Sequence, residues 1–375
     1  MVGALKFMTF NIRHDHHINS PTTPFAAPPI KENAFDVSQF AEEQPWTIRK
    51  WKIADTILLY SPDIVALQEP VHHQLLDLET LLNNEYSWIG VGRNDGDKVG
   101  EFSAIFYKKN ILTVEKWKTI WLSEEPEIAG SKGWDATHPR IATQAMFLKK
   151  DEQVKFTVFN VHLDHKGDIS REESSKLLLE RAREANEFGA VILLGDLNST
   201  ETDPAYRILT GNMYKDAERK NDTLANLQEL NQHCASVYSS MTGEPVHTAQ
   251  NHITLPTHRV IRPGQILANF RKQQQQQQQI EKEYFQDTYY ELITRLKSER
   301  GTSDALSGPY GFRNTFTSFG VGEEFKRAPI RIDFIMTLQN NSLKFIVHQV
   351  AILSNQFDDG LIISDHRPVL AKLSW

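Results

Sequence analysis

Nine short apolar segments, each four to nine residues long, recur along most of the chain. Their length and their content of β-branched and aromatic residues are typical of β-strands. They span residues 5–10, 64–67, 103–107, 143–147, 156–161, 191–194, 332–336, 345–353 and 369–373. Several follow one another without a helix between them. This order favours sheets packed together and covered by helices, an α+β sandwich, over a strictly alternating doubly wound fold.

Two segments, residues 47–60 and 170–188, repeat apolar residues at helical spacing instead. Ser170 and Glu173 form a capping-box pattern, which predicts that the second helix begins there. We therefore expect both segments to lie on the outside of the sheets.

Two stretches interrupt the pattern of strands and helices. Residues 20–45 contain five prolines and predict an extended surface loop. Residues 222–306 contain seven consecutive glutamines, residues 273–279, a tract typical of disorder or of a solvated helix rather than of catalysis. We interpret the chain as a single domain, residues 1–375, with a glutamine-rich insertion at about residues 222–306.

Cysteine content and charge exclude several classes of protein. Cys234 is the only cysteine, so an intramolecular disulfide framework and a multi-cysteine zinc site are excluded. The 41 lysines and arginines against 48 acidic residues give a net charge of −7, which disfavours a protein that mainly coats nucleic acid. No apolar run is long enough to span a bilayer, and residues 1–10 are too short for a signal peptide. We expect a cytoplasmic or nuclear protein, with secretion disfavoured.

Polar residues of unusual kind stand at the ends of the predicted strands. They are Asn11, Gln68 with Glu69, His162, Asp196 with Asn198, Asp333, and Asp365 with His366. Any one of them could be a turn or capping residue. Strand ends at one edge of a sandwich converge in space, however, so we expect these side chains to gather in one site.

Such a gathering suits the hydrolysis of a phosphate ester. Glu69, Asp196 and Asp365 offer hard oxygen ligands for Mg²⁺ or Mn²⁺. A hard cation neutralises phosphoryl oxygens, while histidines and amides position water and support the leaving oxygen. The residues therefore predict a metal-dependent phosphohydrolase.

Six motifs carry these residues, in the order Phe10-Asn11-Ile12-Arg13, Asp63-Ile64-Val65-Ala66-Leu67-Gln68-Glu69, Asn160-Val161-His162, Gly195-Asp196-Leu197-Asn198, Arg331-Ile332-Asp333-Phe334 and Ser364-Asp365-His366-Arg367-Pro368-Val369. This ordered set resembles the endonuclease/exonuclease/phosphatase superfamily, the deoxyribonuclease-I-like fold. The resemblance implies a four-layer α/β sandwich in which two mainly antiparallel sheets pack face to face with helices outside. It also implies a phosphodiesterase or phosphatase site at one end of the sandwich.

The resemblance further implies a role for each matching residue. Glu69 corresponds to the metal-binding glutamate, with Asn11 beside it, and Asp365 to the second carboxylate on the metal side. Asp196 corresponds to the aspartate that orients or deprotonates water, and Asn198 to the amide on the phosphoryl oxygens. His366 corresponds to the histidine on the phosphate, and Asp333 to the carboxylate that holds its ring. A histidine held in this way favours its charged form.

One spacing points to a further pair. Glu101 precedes Tyr107 by six residues. In deoxyribonuclease-I-like members, a glutamate at this spacing pairs with the strand-end histidine, which here corresponds to His162. Such a pair would suit a general acid for the leaving group. Arg93, in the loop 92–100, and Arg140 are candidates for contacts with substrate phosphate. For Arg140, a salt bridge with no role in substrate binding is an equally supported interpretation.

The substrate stays open at this stage. The loop 92–100 lacks the tyrosine that deoxyribonucleases insert into the minor groove, so cleavage of long duplex DNA is weakly supported. A nuclease for compact or single-stranded substrates and a hydrolase of small, lipid or inositol phosphates both remain. The alternative from another class is a non-catalytic binding protein that retains the fold. The sequence indicates no protein partner.

Overall fold

The computed structural model describes residues 3–15, 43–211, 283–300, 309–319, 329–339 and 344–375. Residues 20–42 of the predicted proline-rich loop lie outside these ranges. Residues 222–282 and 301–306 of the predicted insertion, including the glutamine tract, also lie outside them.

The described residues form strands and helices in an order that alternates only in part. The strands are β1 (Ala4–Asn11), β2 (Ile64–Gln68), β3 (Tyr86–Ile89), β4 (Ser103–Lys108), β5 (Leu112–Trp121), β6 (Ile141–Lys149), β7 (Val154–His162), β8 (Val191–Asp196), β9 (Gln286–Asp287), β10 (Tyr310–Gly311), β11 (Asp333–Leu338), β12 (Ile346–Ile352) and β13 (Val369–Ser374). The helices are α1 (Trp46–Tyr60), α2 (His72–Leu82), α3 (Asp168–Asn186), α4 (Pro204–Thr210) and α5 (Thr288–Arg300). All nine strands predicted from the sequence are present.

Two sheets face each other across one apolar core. The first has seven strands in the order β10-β12-β13-β1-β2-β4-β3, and the second has six in the order β5-β6-β7-β8-β11-β9. Most neighbouring strands are antiparallel, and the parallel pairs are β1–β2, β10–β12 and β7–β8. Phe7 of the first sheet meets Phe156 of the second edge to face, with ring centroids 6.1 Å apart.

Helices cover the outer faces of both sheets. Helix α1 buries Ile53 and Ile57 against the first sheet, and α3 buries Leu178 and Ala182 against the second. Full burial of a leucine or isoleucine contributes about 1.5–3 kcal/mol, so these faces hold the helices in place. The result is the four-layer α/β sandwich with mainly antiparallel sheets that the sequence predicted.

The start of α3 differs from the sequence prediction. The helix begins at Asp168, two residues before Ser170, and the predicted capping box does not form. The carboxylate of Asp135 accepts hydrogen bonds from the backbone N–H groups of Ile169 (3.3 Å) and Ser170 (2.6 Å) instead. A cap supplied from a distant loop satisfies the same unpaired N–H groups of the first turn.

Residues 283–300, inside the predicted insertion, belong to the folded core. Strand β9 pairs with β11, and the Phe285 ring is fully buried. Asp287 is also buried and accepts hydrogen bonds from Tyr206 Oη (2.8 Å) and Arg331 Nη2 (2.7 Å). A stretch removable without loss of the core would therefore have to end before residue 283.

Candidate active site

Strand register brings the predicted residues to one end of the sandwich. Asn11 ends β1 and pairs with Gln68 at the end of β2, so Glu69 follows beside it. His162 ends β7 and pairs with Asp196 at the end of β8. Asp333 lies opposite Asp196 because β11 runs antiparallel to β8.

The end of the chain joins this group through β13. Thr9 of β1 pairs with Val369 at the start of β13, which places the preceding residues near the end of β1. Ser364 Oγ donates to the backbone oxygen of Asn11 (2.6 Å) and so fixes this approach. Asp365 and His366, both about 4% exposed, follow directly.

His366 is held between two carboxylates. Its Nδ1 lies 2.8 Å from Asp333 Oδ2, and its Nε2 lies 3.6 Å from Asp196 Oδ2. Burial alone would lower the pKa of His366, but the charges of Asp333 and Asp196 and the hydrogen bond hold it well above the usual value. The surroundings of His366 therefore favour the protonated form of its ring.

Asp196 is buried at the centre of the site. Burial, followed by repulsion from Asp333, raises its pKa to about 7. The backbone N–H of Asn198 donates to its Oδ1 (2.8 Å), and Asn11 Nδ2 donates to its Oδ2 (3.1 Å). A carboxylate with a pKa near neutrality is suited to accept a proton from water.

Glu69 receives several donors that favour its charged form. Asn11 Nδ2 donates to its Oε1 (2.9 Å), and His14 Nδ1 lies 2.9 Å from its Oε2. Burial alone would raise the pKa of Glu69, yet the hydrogen bond with His14 and nearby positive charges hold it well below the usual value. Asn11 Oδ1 accepts from the backbone N–H of Arg13 (3.0 Å), so the Asn11 amide faces Glu69 with its nitrogen.

Glu69 and Asp365, which the sequence predicts as metal ligands, both lie near the Arg13 guanidinium. Arg13 Nη1 lies 3.9 Å from Glu69 Oε2 and 3.9 Å from Asp365 Oδ2, which shows that the pair attracts positive charge. Burial raises the pKa of Asp365, and repulsion from Glu69 adds to this effect. Two buried, hard oxygen donors that repel each other fit Mg²⁺ or Mn²⁺.

Among the described residues, Asp196, Asp333 and His366 form the one group that brings three candidate ligand atoms within 4.8 Å of one another. This group could therefore hold a metal ion, while Asp333 also binds His366 Nδ1 (2.8 Å).

His162 stands on the other side of Asp196, among arginines. Arg140 Nη1 lies 3.3 Å from both ring nitrogens, so the guanidinium packs against the ring rather than in line with one nitrogen. Burial, then the charge of Arg140, lowers the pKa of His162 well below the usual value. Asn198 Nδ2 lies 3.1 Å from His162 Nε2, so the predicted amide is beside it.

Glu101 is near His162 but binds another residue. Its Oε2 lies 3.8 Å from His162 Nδ1, beyond hydrogen-bond distance, and 2.5 Å from Arg93 Nη1. Arg93, Glu101, Arg140 and His162 line a narrow pocket with a cavity volume of about 10 Å³. Glu101 therefore lies beside His162 as predicted but without a hydrogen bond, and its shortest ion pair is with Arg93.

Arg140 is itself anchored by Asp164, which the sequence analysis did not single out. Arg140 Nε donates to Asp164 Oδ2 (3.2 Å), and Arg140 Nη2 lies 2.9 Å from His165 Nδ1. Arg13, His14 and Asp164 were all missed. Each lies only two or three residues beyond a predicted site residue, and that proximity was the available signal.

Three non-glycine residues of the site have left-handed backbone conformations. They are Arg13 (φ 59°), Glu69 (φ 71°) and Asn198 (φ 44°). Each follows a strand end and turns the chain sharply, at a cost of order 1–3 kcal/mol that the surrounding hydrogen bonds offset. Gly195 meets a related constraint, because a Cβ there would lie 2.0 Å from the backbone oxygen of Val161.

This two-sheet sandwich, with a carboxylate, amide and imidazole site at one end, defines a class of phosphate-ester hydrolases. The model of the Endonuclease/Exonuclease/phosphatase family matches residues 8–366, and the chain belongs to that family. Membership supports the hydrolysis of a phosphate ester.

Two curated relatives match about half of the chain. An uncharacterised protein of Acanthamoeba polyphaga mimivirus is 29% identical over 178 residues, which cover 44% of this chain and 63% of that protein. Nocturnin of Drosophila melanogaster is 25% identical over 182 residues, 45% of this chain and 27% of that protein. The match thus spans less than two thirds of either relative.

Solved structures share the fold across nearly the whole chain. An endonuclease/exonuclease/phosphatase from Bacteroides vulgatus has 24% identity and a TM-score of 0.64, covering 99% of both chains. A mannosyl-6-phosphatase from Bacteroides thetaiotaomicron has 24% identity and a TM-score of 0.62, covering 99% of this chain and 100% of the other. The human Nocturnin catalytic domain has 14% identity and a TM-score of 0.55, covering 99% and 94%.

Within the described ranges, α1 to α5 include no helix both long and apolar enough to cross a membrane.

Proposed function

We propose that this protein is a divalent-metal-dependent hydrolase that cleaves a phosphate ester by attack of water. The observation that carries the proposal is the convergence of His366, Asp333 and Asp196 in one buried cluster beside the carboxylate pair Glu69 and Asp365. A scaffold that only binds a partner has no need for buried groups of opposite charge with shifted pKa values at one point.

On the attacking side, Asp196 takes a proton from water. Its pKa of about 7 makes it an effective base at neutral pH. His366 remains charged against Asp333 and offers Nε2, 3.6 Å from Asp196, to the phosphoryl oxygens. Asn198 presents its amide beside His162 Nε2, 3.1 Å away.

On the leaving side, His162 and Arg140 face the departing oxygen. The low pKa of His162 means that the ring is neutral in the free enzyme. As a general acid it needs a bound phosphate, whose negative charge opposes Arg140 and favours protonation. If the ring stays neutral, Arg140 and Arg93 stabilise the leaving oxygen by charge alone.

Glu69 and Asp365 would hold Mg²⁺ or Mn²⁺, with Asn11 and His14 fixing Glu69. The bound ion would neutralise phosphoryl oxygens and lower the barrier to attack. Both a phosphodiester and a phosphomonoester fit this arrangement. The acidic net charge favours a compact or single-stranded substrate over long duplex DNA.

A panel of phosphate esters tests the proposal. It contains single-stranded and duplex DNA, RNA, dinucleotides, sugar and inositol phosphates and sphingomyelin, each assayed with Mg²⁺, Mn²⁺ or excess chelator. We expect at least one ester to be hydrolysed only with metal, and His366→Ala to abolish that turnover. His348→Ala is the matched control, because His348 pairs with Ser374 at the far end of the first sheet. Full turnover in chelator would refute the metal assignment, and no turnover on any ester would favour the binding-protein alternative.

A further inference from the structure

Arg13 has an unusually constrained backbone for a residue with a charged side chain. It lies in the left-handed region with φ 59°. Its N–H donates to Asn11 Oδ1 (3.0 Å), and its carbonyl oxygen accepts from Arg49 Nη2 (3.2 Å) and Gln74 Nε2 (3.1 Å). The fold thus fixes the point from which the guanidinium extends.

The Arg13 guanidinium lies close to both carboxylates of the Glu69–Asp365 pair. Its Nη1 is 3.9 Å from an oxygen of each carboxylate, and its Nε is 3.6 Å from Glu43 Oε1. The Arg13 side chain is 27% exposed, whereas those of Glu69 and Asp365 are 12% and 6% exposed. The guanidinium is therefore more exposed than either carboxylate of the pair.

A guanidinium and a divalent cation would use the same two carboxylate oxygens. Both carry positive charge, so occupation by one opposes occupation by the other. A guanidinium that leaves the pair can keep its contact with Glu43, and a phosphate held next to the carboxylates would offer it a second anionic partner.

We propose that Arg13 competes with the divalent cation for Glu69 and Asp365, and that on cation binding it exchanges these carboxylates for the substrate phosphate. This inference rests on the metal site of the proposed function. Cation binding releases Arg13 to bind the phosphate, and phosphate binding draws Arg13 away from the carboxylates. Each ligand therefore increases the affinity of the protein for the other, by the same factor. The enzyme then holds its metal weakly until a phosphate ester arrives.

The test measures Mn²⁺ affinity without any turnover. Free Mn²⁺ is followed by electron paramagnetic resonance during titration of the full chain, with and without inorganic phosphate. The proteins are the wild type, Arg13→Gln and Arg13→Lys. Arg93→Gln is the control, because it removes a positive charge of the same site that pairs with Glu101 instead. Circular dichroism checks that each variant is folded.

Without phosphate, we expect Arg13→Gln to bind Mn²⁺ about tenfold more tightly than the wild type. This is a lower bound, because it counts only the Coulomb repulsion in bulk water between the single charge of Arg13 and the double charge of Mn²⁺, about 5 Å apart. Phosphate should tighten Mn²⁺ binding less in Arg13→Gln than in the wild type, by about fivefold or more. Arg13→Lys, which keeps the charge, should resemble the wild type, and Arg93→Gln should change affinity less than Arg13→Gln.

Three results would overturn the inference. They are equal or weaker Mn²⁺ binding by Arg13→Gln, an unchanged effect of phosphate in that variant, and an equal gain in Arg93→Gln. Failure of the metal site itself has a different signature, since neither the wild type nor Arg13→Gln would then bind Mn²⁺, or Glu69→Gln would bind it as well as the wild type.

Discussion

Replacing Asp164 by asparagine should deprive the buried Arg140 of its nearest counter-charge and leave only Glu101, 3.9 Å away. Asp164 Oδ2 accepts from Arg140 Nε (3.2 Å) and from the backbone N–H (3.3 Å) and hydroxyl (3.2 Å) of Thr137. Its Oδ1 accepts from the N–H groups of Lys166 (2.9 Å) and Gly167 (2.8 Å). An asparagine keeps one oxygen but turns N–H groups toward the donors of Arg140 and Thr137.

The size of the loss follows from burial. Asp164 is 0% exposed and Arg140 is 4% exposed, so water cannot replace the missing partner. Breaking a buried ion pair on one side costs about 3–5 kcal/mol when a charge is left uncompensated, and the remaining Glu101 places the expected loss at the lower end of that range. We expect Asp164→Asn to lower the free energy of unfolding by about 3 kcal/mol at pH 7, and to lower kcat because Arg140 loses its orientation toward His162.

The stability difference between the wild type and Asp164→Asn should depend on pH in a defined direction. Burial alone would raise the pKa of Asp164, but the N–H groups of Gly167 and Lys166 and the charge of Arg140 hold it well below the usual value. A carboxylate with a lowered folded-state pKa stabilises the protein above its unfolded-state pKa of about 3.9, and this stability is lost as pH falls further. The difference between wild type and Asp164→Asn should be constant from pH 8 to pH 5 and shrink below about pH 4.

Urea unfolding followed by circular dichroism measures these differences. A double-mutant cycle with Arg140→Gln should give a coupling energy of about 2 kcal/mol or more. Asp135→Ala is the control: it removes only the exposed carboxylate that caps α3 and should cost about 1 kcal/mol. A loss below 1 kcal/mol for Asp164→Asn, or coupling near zero, would show that Asp164 does not anchor Arg140.

Three further predictions follow. In chelator, Asp196→Asn should be more stable than the wild type, and the difference should grow from about pH 4 to pH 8, up to about 4 kcal/mol. The reason is that the fold raises the pKa of Asp196 to about 7 and so favours its protonated form, which asparagine imitates. Urea unfolding at several pH values measures the difference, and a difference that does not change with pH would contradict the prediction. His366→Ala should abolish turnover for every leaving group, whereas His162→Ala should lose about a hundredfold on an alkyl ester and less on a nitrophenyl ester; equal losses in kcat/KM would remove the general-acid role. Replacing residues 212–282 by a short flexible linker should leave a folded core in circular dichroism, whereas extending the deletion through residue 306 should unfold it, since the larger deletion removes β9 and the buried Asp287.

The site was predictable where strand pattern alone determines position. Asn11 and Asp196 are 185 residues apart and still share a 3.1 Å hydrogen bond, because each ends a buried strand at the same edge. An apolar run followed by a carboxylate or amide is visible in the sequence without any knowledge of packing. The convergence of the six motifs follows from this pattern.

Contacts set by loop packing were not predictable in the same way. The partner of Glu101 is Arg93, eight residues earlier, because the loop between them folds back and donates the Arg93 N–H to the Glu101 backbone oxygen. The cap of α3 comes from Asp135 rather than from Ser170. Strand β5 (Leu112–Trp121) was missed because it is an edge strand with mostly exposed residues and has no apolar run.

The order of strands in the sheets divides the site between two stretches of chain. Residues up to 211 contribute Glu69, His162 and Asp196, and residues from 283 onward contribute Asp333, Asp365 and His366. The later stretch does not form a separate lobe, since β11 inserts beside β8 and β13 beside β1. Each stretch alone would be an incomplete sandwich with half of the candidate site. Two polypeptides divided between residues 211 and 283 would therefore have to associate before the candidate site is complete.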